Sequence, residues 1–312
     1  MRILFVIGFL VLSLRSLADF PPGMRILSAD SAWKSKGLFT LNMGQTTFTN
    51  WAPGGDNNLS INSLVLYDLL YHKGIVSWSN HFDLEFGSMV YFDKKPKKTN
   101  DKIYFSSKLG YKANKNWNYS LYYSFGSQFT NGFKYPNDSV PISRFMAPAY
   151  LMMGLGMDYK PTKNFSLLLS PFTNKITIVN DNELAAKGAF GMEPAKEDTA
   201  GNILVPARKF KSEPGGFVKF YYHQQLNKDF KVSTRLELFT PYYQKPLRMD
   251  VRWNIFSSYQ ITKGLAVTFV IDLVYDEDAI IKEDIDGDGV DEIVGPRTQV
   301  KESLGIGLSY KW

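Results

Sequence analysis

Apolar and polar residues alternate strictly in this chain, over stretches too long for ordinary strands. From Val76 to Phe92 the even positions read Val76, Trp78, Asn80, Phe82, Leu84, Phe86, Ser88, Val90 and Phe92, seven of nine apolar. The odd positions between them begin Ser77, Ser79, His81, Asp83, Glu85 and Gly87. A period of two puts the two sets on opposite faces of a strand. The pattern recurs: Ile103, Phe105, Leu109 and Tyr111 oppose Tyr104, Ser106, Lys108 and Gly110, and Phe230, Val232, Leu236 and Leu238 oppose Lys231, Ser233, Arg235 and Glu237. Twelve strands are expected, at 36–49, 58–71, 75–92, 102–113, 117–129, 149–160, 165–179, 215–226, 230–240, 248–260, 265–276 and 297–312. Strands of soluble proteins average ~5–6 residues, whereas a tilted strand crossing a bilayer needs ~9–11. Most of these are of the longer kind.

The connections set the architecture. Every second one is short: His72-Lys73-Gly74, Asn114-Lys115-Asn116, Thr162-Lys163-Asn164, Asn227-Lys228-Asp229 and Thr262-Lys263-Gly264. Each carries a central lysine among turn formers. The others, at 50–57, 93–101, 130–148, 180–214, 241–247 and 277–296, are longer. Aromatic residues frame the short turns: Tyr71, Tyr111, Tyr159 and Tyr259 precede them, and Trp78, Trp117, Phe165 and Phe230 follow. Short turns at one end, long loops at the other and an aromatic girdle are the marks of an outer-membrane barrel. The expected fold is all-β: a single antiparallel up-and-down transmembrane β-barrel of about 12 strands, with short periplasmic turns and long extracellular loops. A large secreted β-sandwich is the alternative, and it would not need strands this long.

The N-terminus fits that destination. Met1-Arg2, the apolar run Ile3 to Leu14 and Ser16-Leu17-Ala18 have the order and length of a secretory signal peptide. Cleavage after Ala18 would remove Arg2 and Arg15 and no acid, taking the net charge from +6 to +4. The expected division is a signal peptide at 1–18, a periplasmic segment at 19–35 and the barrel at 36–312. The expected location is the cell outer membrane. The chain has no cysteine, which excludes disulfides, thiol catalysis and a lipoprotein anchor. Its basic excess is mild and scattered, so nucleic acid is not an expected partner.

Two resemblances extend this reading. The ending Leu304-Gly305-Ile306-Gly307-Leu308-Ser309-Tyr310-Lys311-Trp312 resembles the terminal signal of outer-membrane proteins, an alternating strand closed by an aromatic. That resemblance makes Tyr310 and Trp312 the assembly signal and implies the barrel-assembly machinery as a partner during insertion. The second involves Trp33, Gly37-Leu38-Phe39-Thr40-Leu41-Asn42, Gln45-Thr46 and Asn50-Trp51-Ala52-Pro53-Gly54-Gly55. With Ser170-Pro171-Phe172-Thr173-Asn174-Lys175 and Lys301-Glu302-Ser303-Leu304-Gly305, these are similar to a domain-of-unknown-function family of barrels from Bacteroidota. The similarity implies an outer-membrane location and brings no activity and no functional residues.

By parity the inward face carries His81, Asp83, Glu85, Lys108, Lys219, His223, Arg235, Glu237, Arg248, Asp250, Arg252 and Asp272, with Lys112, Lys231 and Lys301. Two readings follow. The charges could filter small polar solutes in a passive channel. Alternatively they pair with one another and plug a narrow barrel, which then serves as a structural or interaction component of an envelope complex. Twelve strands fall between small filled barrels and wide porins. Enzymatic activity is not expected, since no serine motif of the nucleophile-elbow kind is present.

Two loops carry further expectations. Loop 180–214 is the longest and is read as an irregular surface loop, the best place for an envelope protein partner. In loop 284–292, Asp284, Asp286 and Asp288 with Gly289 resemble a calcium loop, and Asp291 or Glu292 with the Val290 carbonyl could complete the shell. The twelfth position is Gly295 rather than glutamate, so a solvated acidic turn is the competing reading; otherwise no cofactor is expected. Calorimetric titration separates the two: binding heat supports Ca²⁺, and dilution heat alone at millimolar ion supports the plain turn.

Overall fold

The computed structural model describes residues 32–47, 56–91, 94–198, 203–243, 248–283 and 292–312. Twelve long strands form one ring. They are β1 (Trp33–Thr46), β2 (Asn58–Lys73), β3 (Val76–Tyr91), β4 (Lys97–Lys112), β5 (Trp117–Ser127) and β6 (Ala149–Tyr159). The second half is β7 (Phe165–Ile178), β8 (Phe210–Gln225), β9 (Phe230–Pro241), β10 (Asp250–Thr262), β11 (Leu265–Tyr275) and β12 (Gln299–Lys311). Each barrel strand pairs with the next in the chain, and β12 returns to β1, so the barrel is closed. The all-β, antiparallel, up-and-down fold expected from the alternation is the fold observed.

Closure explains the sequence pattern, because a ring has one inside and one outside. Outward positions hold exposed apolar residues such as Phe86, Leu121, Leu155, Phe172, Leu304 and Ile306, while Asp83, Glu85, Lys175 and Glu237 are buried inside. No described helix is long and apolar enough to cross a membrane. The aromatic residues at the short-turn end form a nearly continuous belt. Trp33 lies 4.9 Å from Tyr71 and 5.5 Å from Trp78, Trp117 is 4.9 Å from Tyr159, and Phe230 is 6.3 Å from Tyr259, centroid to centroid.

Several boundaries differ from expectation. β1 begins at Trp33 rather than 36, β4 at Lys97 rather than 102 and β8 at Phe210 rather than 215. Backbone pairing runs on past the apolar belt where side chains turn polar, so alternation ends before the strand does. The calcium-loop positions Asp284, Asp286, Asp288, Val290 and Asp291, the segment 1–18 and Asn50 to Gly55 all lie outside the described residues. Glu292 opens a short strand, Glu292–Pro296, paired with Ile280–Glu283.

Loop 180–214 is not irregular. It holds α1 (Asn182–Ala186), a 3₁₀ turn at Ala189–Gly191 and the hairpin strands Lys196–Glu197 and Ile203–Val205, before joining β8. Asp181 caps α1 by accepting from the Leu184 N–H at 2.9 Å. Val179, Leu184, Ala185, Met192 and Ala147 bury one another into a small separate core. That core, rather than any alternation, holds the loop in shape.

Inside β7 the strand pairing shifts. Leu155 of β6 faces Phe172 and Met157 faces Leu169, so Gly156 opposes both Ser170 and Pro171. On the other side Gly216 of β8 faces the same extra residue. This is a β-bulge, and Pro171, which has no N–H for the ladder, is suited to it. Before the bulge Ser166, Leu168 and Ser170 point inward; after it Thr173, Lys175 and Thr177 do.

The ring closes over a short seam, Leu38–Asn42 against Gly307–Lys311. Gly37 and Trp312 exchange two backbone hydrogen bonds, at 3.0 and 3.2 Å. A Cβ on Gly37 would stand 2.0 Å from Trp312 Cε2, so the glycine makes room for the terminal ring. Gly37→Val is expected to lower stability by about 1–3 kcal/mol through overpacking, read as a shift of the urea midpoint in detergent micelles; an unchanged midpoint would show that the ring moves aside freely.

Candidate functional site in the barrel interior

The inward face of β3 carries Asp83 and Glu85, both nearly inaccessible to water. Isolated buried carboxylates cost several kcal/mol each, so the interior must supply cations. Lys102 Nζ, from β4, lies 2.7 Å from Asp83, 3.1 Å from Glu85 and 3.9 Å from Asp272. Lys301 Nζ, from β12, lies 3.2 Å from both Glu85 and Asp272 and donates to Asn100 Oδ1 at 3.0 Å. Asn254 donates to Asp272 at 2.7 Å.

A second cluster crosses the lumen. Arg235 of β9 reaches Asp83 at 3.4 Å, and its guanidinium lies 4.4 Å from the Tyr104 ring centroid. β3 and β9 are diametrically opposed in the ring. Tyr104 of β4 donates to Glu237 of β9 at 2.8 Å, and Lys219 of β8 lies 3.1 Å from the same carboxylate. Lys219 also donates to the hydroxyls of Tyr104 and Tyr122, at 3.2 and 3.0 Å. Tyr122 stacks on Phe217 at 5.3 Å, joining β5 to β8. Facing walls are thus tied together by charge-assisted hydrogen bonds and ring contacts. The cavity left beside this layer, lined by Tyr104, Tyr150, Phe217, Glu237 and Arg252 among others, measures about 30 Å³. That is room for one or two waters.

Toward the short turns, Lys108 pairs with Asp158 at 2.8 Å, and Ser166 donates to Asp158 at 2.7 Å. His81 Nδ1 lies 2.8 Å from Asp68 Oδ1. Ser106 stands opposite His81 on β4, but no hydrogen bond joins the two among the described residues. His223 lies beside Tyr221, with ring centroids 5.5 Å apart.

Toward the long loops, Lys175 binds Asp250 and lies 3.5 Å from Asp276. Burial would raise the Asp276 carboxyl, but the Lys175 charge and the Asp278 N–H outweigh it, and the group sits below the usual carboxylate range. Arg248 pairs with Glu277 at 3.1 Å, and Arg252 stacks on Tyr150 at 4.7 Å. Glu213, Arg248, Asp250, Glu277 and Asp278 line a vestibule of about 380 Å³ at this mouth. Among the described residues, no group of three or more His, Asp or Glu is placed to hold a metal.

The twelve interior positions named from sequence therefore fall at three levels. Asp83, Glu85, Lys219, Arg235, Glu237 and Asp272 share the central layer, His81, Lys108 and His223 lie below it, and Arg248, Asp250 and Arg252 lie at and below the mouth. Sequence reasoning missed Lys102, Tyr122 and Lys175, and it put Tyr104 on the inward face without naming it among the lining residues. Lys102 had the correct parity but stood at the expected strand's edge. Lys175 is inward only because of the bulge, and Pro171 was the signal for it.

A family described as "Protein of unknown function (DUF3078)" matches residues 43–133, from the end of β1 to just beyond β5. None of the curated proteins compared matches the chain. Among solved structures, the chain is similar to the translocator domain of the autotransporter NalP from Neisseria meningitidis, with 10% identity, 97% of this chain and 95% of that chain covered and a TM-score of 0.37. It is similar to an outer membrane channel from Pseudomonas putida F1 (10% identity, 94% and 99% covered, TM-score 0.37) and to the NanC porin (9%, 88% and 98%, TM-score 0.36). The barrel assignment itself rests on the strand pairing.

Lys175→Met would leave Asp250 and Asp276 side by side without their cation. The expected loss is about 3 kcal/mol, measured by denaturant unfolding, and Lys175→Met with Asp250→Asn and Asp276→Asn is expected to recover most of it.

Proposed function

We propose that this is an outer-membrane barrel whose lumen is closed at rest, and that it serves the envelope as a structural or interaction component rather than as an open pore. The observation that carries this reading is the layer of Asp83, Lys102, Tyr104, Lys219, Arg235 and Glu237, whose contacts run from one wall to the opposite one. Passage of a polar solute would require those contacts to part together. The membrane setting is supported by the closed ring, which leaves no lipid-exposed strand edge, by the apolar exterior and by the aromatic belt. In that setting the short turns face the periplasm, and the structured segment between β7 and β8 is the surface offered to an envelope partner. Tyr310 and Trp312 would present the assembly signal.

Single-channel recording in a planar bilayer tests the closed state. The wild-type chain, shown to be folded by heat-dependent gel mobility, is expected to be silent. Tyr104→Ala combined with Arg235→Ala and Glu237→Ala removes cross-lumen ties and is expected to give ion-selective steps. Steady steps from the wild type would return the charged interior to the role of a solute filter.

A further inference from the structure

Beside the bulge the outward face is hollow. β4 to β7 enclose a groove of about 690 Å³, within the ~300–1,000 Å³ range of small-ligand sites. It begins at the girdle level, where Trp117 pairs across to Tyr159, and reaches the row Leu121–Leu155–Phe172. Four residues of β5 separate the two levels, about 13 Å along the strand. The floor is Gly156, where a Cβ would stand 2.0 Å from the Leu169 carbonyl oxygen. The far wall is Phe172, pushed out by the bulge until three-quarters of its surface is exposed. Apart from Ser120, the rest of the lining is aliphatic or aromatic, and no charged side chain is among the lining residues.

The charge beneath the groove says what would fill it. The two turns directly under these four strands carry Lys115 and Lys163. Among the described residues neither has an acidic partner, unlike Lys160 next to them, which lies 3.3 Å from Asp158. Trp117 and Phe165 follow these turns and mark the boundary where lipid headgroups would lie. An apolar slot opening at that boundary onto two cations with no acidic partner among the described residues matches an acyl chain joined to an anionic headgroup.

We propose that this groove is a binding site for one anionic phospholipid of the periplasm-facing leaflet, with an acyl chain along Leu121, Leu155 and Phe172 and the phosphate at Lys115 and Lys163. The inference rests on the membrane setting proposed above. It does not depend on whether the lumen is closed.

Native mass spectrometry of the full chain released from micelles tests it, with phosphatidylglycerol and phosphatidylcholine of matched acyl chains as probes. One phosphatidylglycerol is expected to be retained in preference to phosphatidylcholine. Lys115→Gln and Lys163→Gln are each expected to weaken phosphatidylglycerol about fivefold, leaving phosphatidylcholine unchanged. Leu121→Trp fills the slot from an outward position and is expected to weaken both lipids. Equal retention of the two lipids by a folded barrel, unaltered in the lysine variants, overturns the site and leaves the membrane setting standing. A dimer that Leu121→Trp abolishes would assign the groove to a second copy and also overturn it. A barrel that stays monodisperse without detergent and retains neither lipid would overturn the site and the membrane setting together.

Discussion

A backbone N–H or C=O that leaves water must find another partner, and in a sheet that partner is the neighbouring strand. Everything else in this molecule follows from meeting that demand all the way round. Twelve strands suffice because β12 comes back to β1, over five paired positions against fourteen between β1 and β2. The chain reinforces its shortest junction with the terminal residue: Trp312 bonds to Gly37 through the backbone and lies over it, stacked with Tyr310 at 5.7 Å. The resemblance of the C-terminal strand to an assembly signal and the closing of the ring therefore concern the same few residues.

Closure turns the usual arrangement of a protein inside out. The exterior is apolar, and the interior must satisfy a dense set of charges in little space. It does so by sharing: Lys102 serves three carboxylates, Glu85 accepts from two lysines and an asparagine, and Glu237 is held by Lys219 and Tyr104. Tyr104 and Arg235 both carry the network across the lumen, one to Glu237 and the other to Asp83. Removing one member leaves its partners buried and uncompensated, so the layer resists piecemeal change.

Much of this was legible in the sequence, for physical reasons that differ by region. Alternation in β3, β5 and β9 specified face as well as strand, because one side is apolar and a one-residue slip would reverse it. It located Asp83, Arg235 and Glu237 inside, yet it could not say that they meet, since contact across a lumen depends on the cross-section of the ring and not on any one strand. The ends of β4 and β8 were missed because pairing there outlasts the apolar band. Loop 180–214 concealed a helix whose cue, Asp181 ahead of Asn182-Glu183-Leu184, is local and independent of period two. Lys175 was missed for a further reason, the extra residue in β7.

That extra residue shows that a strand with two faces has a reading frame. The one-residue insertion at Ser170–Phe172 is a frameshift: the same alternating text means inward on one side of it and outward on the other. Deleting the extra residue would remove the bulge and leave both faces as they are, whereas pairing the strand at its present length without the bulge would export Lys175 and Thr177 to the outer surface and draw Ile176 and Ile178 inside. An outward lysine destabilises a barrel in a bilayer, the more so the deeper it lies, and Asp250 and Asp276 would lose their cation at the same stroke. Within β7 the two halves therefore keep their faces only while the bulge takes up the extra residue, and length at this position is as much a coded property as residue identity.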